Sequence, residues 1–83
     1  MTFSVKLSNQ ATKFLNKQDA HICERIKIAL QKLKDPFQVV EHFEGNDYYK
    51  FRTGDFRALV DIDMETRIVW VRVLDNRGRI YKR

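Results

Sequence analysis

Three cations lie within eight residues of one another in the stretch YYKFRTGDFRALVDID, residues 48–63: Lys50, Arg52 and Arg57. Their types suit a phosphate. Arginine presents a planar fork of donors that matches a phosphate or carboxylate, and lysine adds a mobile positive charge. Gly54-Asp55 separates two runs of alternating apolar residues, the pattern of a tight β-hairpin in which glycine supplies a positive φ. That turn pairs Thr53 with Phe56, Arg52 with Arg57, and Lys50 with Leu59. Arg52 and Arg57 then oppose one another directly, where like charges destabilise a sheet.

The next hairpin extends the pattern. A turn around Asp63-Met64-Glu65-Thr66 would place Ala58 opposite Val71, Val60 opposite Val69, and Arg57 opposite Arg72. The expectation is a row, Arg52–Arg57–Arg72, on one sheet face with Lys50 and Trp70, while Tyr49, Phe51, Phe56, Ala58, Val60, Ile62, Val69, Val71 and Val73 face the core. The ending DNRGRIYKR adds Arg77, Arg79, Lys82 and Arg83 around Tyr81. Basic residues beside an aromatic suit nucleic acid. Trp70 either shields the base of the sheet or stacks on a nucleobase.

Charge is distributed unevenly. The 83 residues carry a formal +5, of which residues 1–47 supply +1 and residues 48–83 supply +4; six of eight lysines lie in the first part and seven of eight arginines in the second. An acidic polymer is the natural partner of the second part. A composition 43% hydrophobic and 33% charged, with three Gly and one Pro, is that of a globular domain, expected to be single over residues 1–83. No leader or membrane-length apolar run stands out, which points to the cytosol. The one cysteine, Cys23, is expected to pack beside a helix stripe; His21 and His42 read as surface residues, and no cluster has metal-ligand spacing. Neither a metal nor another cofactor is expected. Asp61 and Asp63 read as solvated residues flanking a turn, with Asp61, one row along, the one acid on that face placed to offset the arginines.

The elements that must position these residues follow from periodicity. Phe3, Val5 and Leu7 alternate as a first strand. Ser8 or Asn9 can cap a short helix bearing Ala11, Phe14 and Leu15, and Asp19 a longer one bearing Ile22, Ile26, Ala29, Leu30 and Leu33, ended by Asp35-Pro36. Residues 35–47 read as a connector, with Phe37, Val39, Val40 and Phe43 covering one end of the core. Strands follow at roughly 48–53, 56–63 and 67–75. The fold class is α+β, in the order β-α-α-β-β-β. The first strand and the three C-terminal strands form an antiparallel sheet, packed on one face by the helical hairpin.

This order, the hairpin YYKFRTGDFR and the ending VLDNRGRIYKR together resemble the RelE branch of the RelE/ParE toxin superfamily, over essentially the whole chain. The resemblance implies a toxin of a type II toxin–antitoxin system, a ribosome-dependent endonuclease that cuts mRNA in the A site without a metal and is neutralised by a cognate antitoxin protein. Carried over by position, it assigns catalytic roles to Lys50, Arg52, Arg57, Arg77 and Tyr81, leaving Arg72, Arg79, Lys82 and Arg83 for RNA binding. Asn76 stands where many relatives have His, and Arg77 lies closer to Tyr81 than in relatives with a further helix. The ParE branch, which shares the fold and acts on DNA gyrase, is the alternative, as is a non-catalytic nucleic-acid-binding module.

Overall fold

The computed structural model describes residues 2–42, 48–54 and 56–76, with Asn76 as backbone only. A short strand, β1 (Ser4–Leu7), leads into helices α1 (Asn9–Asn16) and α2 (Ala20–Leu30). The Ser8 hydroxyl caps α1 by accepting the Ala11 N–H at 3.1 Å. Asp19 precedes α2 without a side-chain cap. Residues 31–34 tighten into a 3₁₀ turn, and Asp35 leaves helical geometry at φ −125° and ψ 73° because the following Pro36 disfavours a helical predecessor. Leu33 therefore completes the apolar stripe from this turn and is fully buried. Among the described residues no helix is long and apolar enough to cross a membrane.

Four more strands complete the sheet: β2 (Val40–His42), β3 (Tyr49–Thr53), β4 (Phe56–Asp63) and β5 (Ile68–Asn76). Their order is β1-β5-β4-β3-β2. Two features depart from expectation. The first strand runs parallel to β5, pairing Val5 with Val69 and Leu7 with Val71, so the sheet is mixed and not purely antiparallel. In addition, the connector supplies β2, which at three residues is too short to show an alternation.

The larger departure lies between β4 and β5. Val60 faces Val71 and Asp61 faces Trp70, but past a bulge Leu59 faces Val73, Ala58 faces Leu74 and Arg57 faces Asp75. The bulge gives β5 an extra residue, Arg72, and that residue shifts everything after it by one. Leu74 consequently enters the core, fully buried with Ala58, Val60, Val69 and Val71. Val73, expected inside, instead faces Leu59 across the open side of the sheet. Burial explains the choice: Leu74 places a larger side chain in the core than Val73 would.

β1 ends opposite Val71, and the first turn of α1 finishes its work along the β5 edge. The Ser8 N–H donates to the Val71 carbonyl at 2.9 Å, and its hydroxyl donates to the Arg72 carbonyl. The Gln10 side chain then accepts the Leu74 N–H at 2.9 Å and donates to the Leu74 carbonyl at 3.1 Å. A side-chain amide thus stands in for the missing strand and satisfies backbone groups that would otherwise remain open. Phe14 of α1 meets Phe56 of β4 edge-on at 5.7 Å, which locks the helices onto the hairpin. Cys23 is half-buried against the same core.

The β4–β5 turn is held by Asp63, whose Oδ1 accepts the N–H groups of Glu65 at 2.9 Å and Thr66 at 3.2 Å. The Thr66 backbone N–H, then its side chain, then the Glu65 N–H hold the Asp63 carboxyl below the usual aspartate range. A depressed folded-state value contributes stability that is present above the unfolded value and lost as pH falls through the folded one. NMR titration should find Asp63 ionised below the range of an ordinary aspartate, and the turn amides should shift with it. Denaturation tests the bulge: Leu74→Ala should lose about 2–5 kcal/mol and Val73→Ala well under half as much, an order that the uninterrupted register would reverse.

Candidate nucleic-acid interface

Thr53 pairs with Phe56, and the intervening Gly54 takes φ +59°. That conformation lies in the left-handed region, which glycine enters without the clash a Cβ brings. The resulting register sets Arg52 opposite Arg57 and Lys50 opposite Leu59, as the sequence predicts. Because Phe51 and Ala58 are buried, their neighbours Lys50, Arg52, Arg57 and Leu59 point to the side of the sheet that the helices leave open. Arg52 is exposed, and Lys50 and Arg57 are half-buried. At the sheet edge, Lys50 and Arg52 border a hollow of about 330 Å³ with Gln38, Val39, Val40 and Glu41.

The expected third member of the row is elsewhere. Since the bulge places Asp75 across from Arg57, Arg72 does not join Arg52 and Arg57. Its guanidinium instead pairs with Asp61 at 3.3 Å and lies 5.4 Å from the centre of the Trp70 ring. The expected line of three arginines is therefore one opposed pair plus a separate Arg72–Trp70–Asp61 group. Asp61, the acid expected one step along from the row, is the counter-ion of Arg72.

Carboxylates at two positions beside the cations were not anticipated as neighbours. Asp75 faces Arg57, and Glu41 faces Lys50 across the β2–β3 pair. The first could have been suspected from Val73-Leu74, two adjacent apolar residues of which only one can point inward. The second depended on β2, for which no sequence pattern exists. Each acid reduces the local excess of positive charge around the cations it faces.

The remaining sequence-predicted residues fall outside this group. Arg77, Arg79, Tyr81, Lys82 and Arg83 lie outside the described residues. His21 is exposed on α2, and His42 is an exposed residue of β2 whose ring meets Tyr49 edge-on at 5.3 Å. A second hollow, of about 240 Å³, lies between Ile22, Arg25 and Ile26 of α2 and the hairpin at Thr53, Gly54 and Phe56. Among the described residues Arg25 is its one cation; Lys50, Arg52 and Arg57 do not line it.

A family model described as the ParE toxin of type II toxin–antitoxin systems matches residues 5–80. No curated protein matches the sequence. Among solved structures, the RelBE2 toxin–antitoxin complex of Mycobacterium tuberculosis aligns with a TM-score of 0.81 at 23% identity, over 93% of this chain and 100% of that one. The archaeal RelE–RelB complex of Pyrococcus horikoshii gives 0.74 at 23% identity, over 95% and 99% of the two chains. A mutant of Escherichia coli RelE in the free state gives 0.76 at 17% identity, over 99% and 90%. At these identities the likeness is one of fold.

Like charges opposed across a ladder repel, and Asp75 opposite Arg57 offsets only part of the repulsion that the Arg52–Arg57 register brings if that repulsion governs the pair. Replacing exposed Arg52 by Thr, a good strand former without charge, should raise stability by roughly a few tenths of a kcal/mol at low salt. Urea melts at two ionic strengths check this, because screening should shrink the gain. A loss of stability at low salt would mean that Arg52 is not under repulsion.

Proposed function

The chain belongs to the ParE toxin family of type II toxin–antitoxin systems and has the fold of RelE toxins, and from that premise we propose that it is a ribosome-dependent mRNA endonuclease. The observation that carries this reading is the placing of Lys50, Arg52 and Arg57 on the sheet face that the two helices leave open. A ParE-like toxin acting on gyrase without cutting RNA is the second reading, favoured by the family model that matches the sequence.

RNA carries its own nucleophile. Its 2′-hydroxyl can attack the adjacent phosphorus, forming a 2′,3′-cyclic phosphate as the bond to the 5′-oxygen of the next nucleotide breaks. The protein need only align the phosphate, stabilise its added negative charge, take a proton from the 2′-hydroxyl and return one to the leaving oxygen. Arg52 and Arg57 suit the charge, as fixed donors aimed at a phosphate that bridges the hairpin. Guanidinium remains protonated, so it is a poor proton carrier. In this scheme Lys50 and Tyr81 are the candidates for moving protons, while Arg77 adds a further contact to the phosphate. Arg79, Lys82 and Arg83 would hold flanking RNA, and the ribosome would present the codon.

A cognate antitoxin is the other partner in this reading. The M. tuberculosis, P. horikoshii and E. coli relatives were each solved with an antitoxin, and an exposed basic face would otherwise attract RNA continuously in the cytoplasm.

Programmed ribosomes separate the two functions. Addition of the toxin should cut mRNA within the A-site codon, in chelator concentrations that leave ribosomes intact, and the upstream fragment should end in a 2′,3′-cyclic phosphate. Losing one preorganised donor costs roughly 10²–10³ in rate. Arg57→Ala should fall that far in single-turnover cutting, and Arg79→Ala much less. Intact mRNA together with inhibited gyrase supercoiling would establish the second reading.

A further inference from the structure

The open sheet face holds an apolar centre as well as cations. Crossing it from β1, one row runs Lys6, Trp70 and Asp61, in register across three strands. The next runs Val73, Leu59 and Lys50, and the last Asp75, Arg57 and Arg52. Arg72, the extra residue of the bulge, lies over Trp70. Trp70 stands between the buried Val69 and Val71 and so points away from the core, where it is half-exposed. A tryptophan on the solvent side of a sheet, with Lys6 and Arg72 beside it, is an unusual use of the largest aromatic side chain.

We infer that Trp70 is a stacking platform for one base of a single-stranded RNA whose backbone reaches the Arg52–Arg57 pair. Charge and spacing both favour this occupant. Four residue steps along β4 separate the Asp61 row from the Arg57 row, about 13 Å, a span that an extended nucleic-acid strand covers in a few nucleotides. Lys6 and Arg72 supply phosphate contacts at the Trp70 end, and Leu59 and Val73 give the bases an apolar floor between the two ends. Among the described residues, Glu41, Asp61, Asp63 and Asp75 are the acids on or bordering this face. Asp63 is turned to its own loop, which leaves Asp61 as the acid at the platform.

Asp61 has a specific part. It holds Arg72 over the indole through an ion pair whose members are 44% and 42% exposed, a weak attachment in water. An incoming phosphate takes the place of the Asp61 carboxylate, and Arg72 swings to it and uncovers the ring. Asp61 therefore competes with RNA, and its removal tightens binding.

This inference rests on reading the open face as an RNA site, and not on cleavage. Trp70 is the chain's one tryptophan, so its fluorescence reports the platform alone. The probe is a 2′-O-methyl oligoadenylate, which cannot be cut, with heparin as a polyanion lacking bases; fluorescence anisotropy measures affinity. The oligonucleotide should quench Trp70 saturably, whereas heparin binds without comparable quenching. Trp70→Leu should weaken oligonucleotide binding about ten-fold or more and leave heparin binding within two-fold. Trp70→Phe should retain much of the affinity. Asp61→Asn should tighten oligonucleotide binding more than Glu65→Gln, which removes the same charge from the neighbouring turn. Oligonucleotide binding without quenching, equal quenching by heparin, or no binding at all would overturn the platform. Quenching by a protein that leaves ribosomal mRNA whole would sink the endonuclease and keep the platform; cutting without quenching would do the reverse.

Discussion

Arg52 and Arg57 face each other because a two-residue turn begins with Gly54 at φ +59°, and no side-chain adjustment can part their backbones. The same register buries Phe51 against Ala58, so the core and the cationic pair are fixed together. Moving the pairing by one residue would relieve the repulsion and would turn Phe51 out to solvent, a far larger loss. Burial thus outweighs the electrostatic cost. Two guanidinium groups so placed have the donor chemistry that a group with several acceptors, such as phosphate, would take.

The bulge at Arg72 works in the opposite sense. It breaks the line of like charges, sets Asp75 beside Arg57, and sends Arg72 to Asp61 and Trp70. The open face is therefore divided into a cationic pair at one end and an aromatic group at the other, joined by Leu59 and Val73. The Gln10 side chain supports this division by holding Leu74 at the edge where β1 has ended. Helices α1 and α2 contribute to the face indirectly, by occupying the other side of the sheet.

Local patterns made the first hairpin legible. Gly54 between two alternating runs permits one favourable register, and its cross-strand partners appear in the structure as expected. The capping role of Ser8 was similarly local. The second hairpin was legible in its strands but not in its pairing, because Val73-Leu74 offers a side chain to either face and only core volume decides between them. The direction of the first strand depends on where the chain returns after two helices, which no periodicity records. β2 is held by its pairing with β3 and by the contact of its own His42 with Tyr49, partners that its three residues do not reveal. At the site, Lys50, Arg52 and Arg57 were legible as a group, Arg72 was placed wrongly, and Asp75 and Glu41 were missed as neighbours. Each error follows from a register set by packing.

If the opposition of Arg52 and Arg57 serves a bound phosphate, their coupling must differ between the free and the RNA-bound protein. A double-mutant cycle on the two positions, using Thr replacements and unfolding free energies, measures their coupling with and without a saturating uncuttable RNA oligonucleotide. The account predicts a repulsive coupling of roughly a few tenths of a kcal/mol in the free protein, which reverses to net cooperation when RNA is bound. A coupling of zero in the free protein, or one unchanged by RNA, would contradict it.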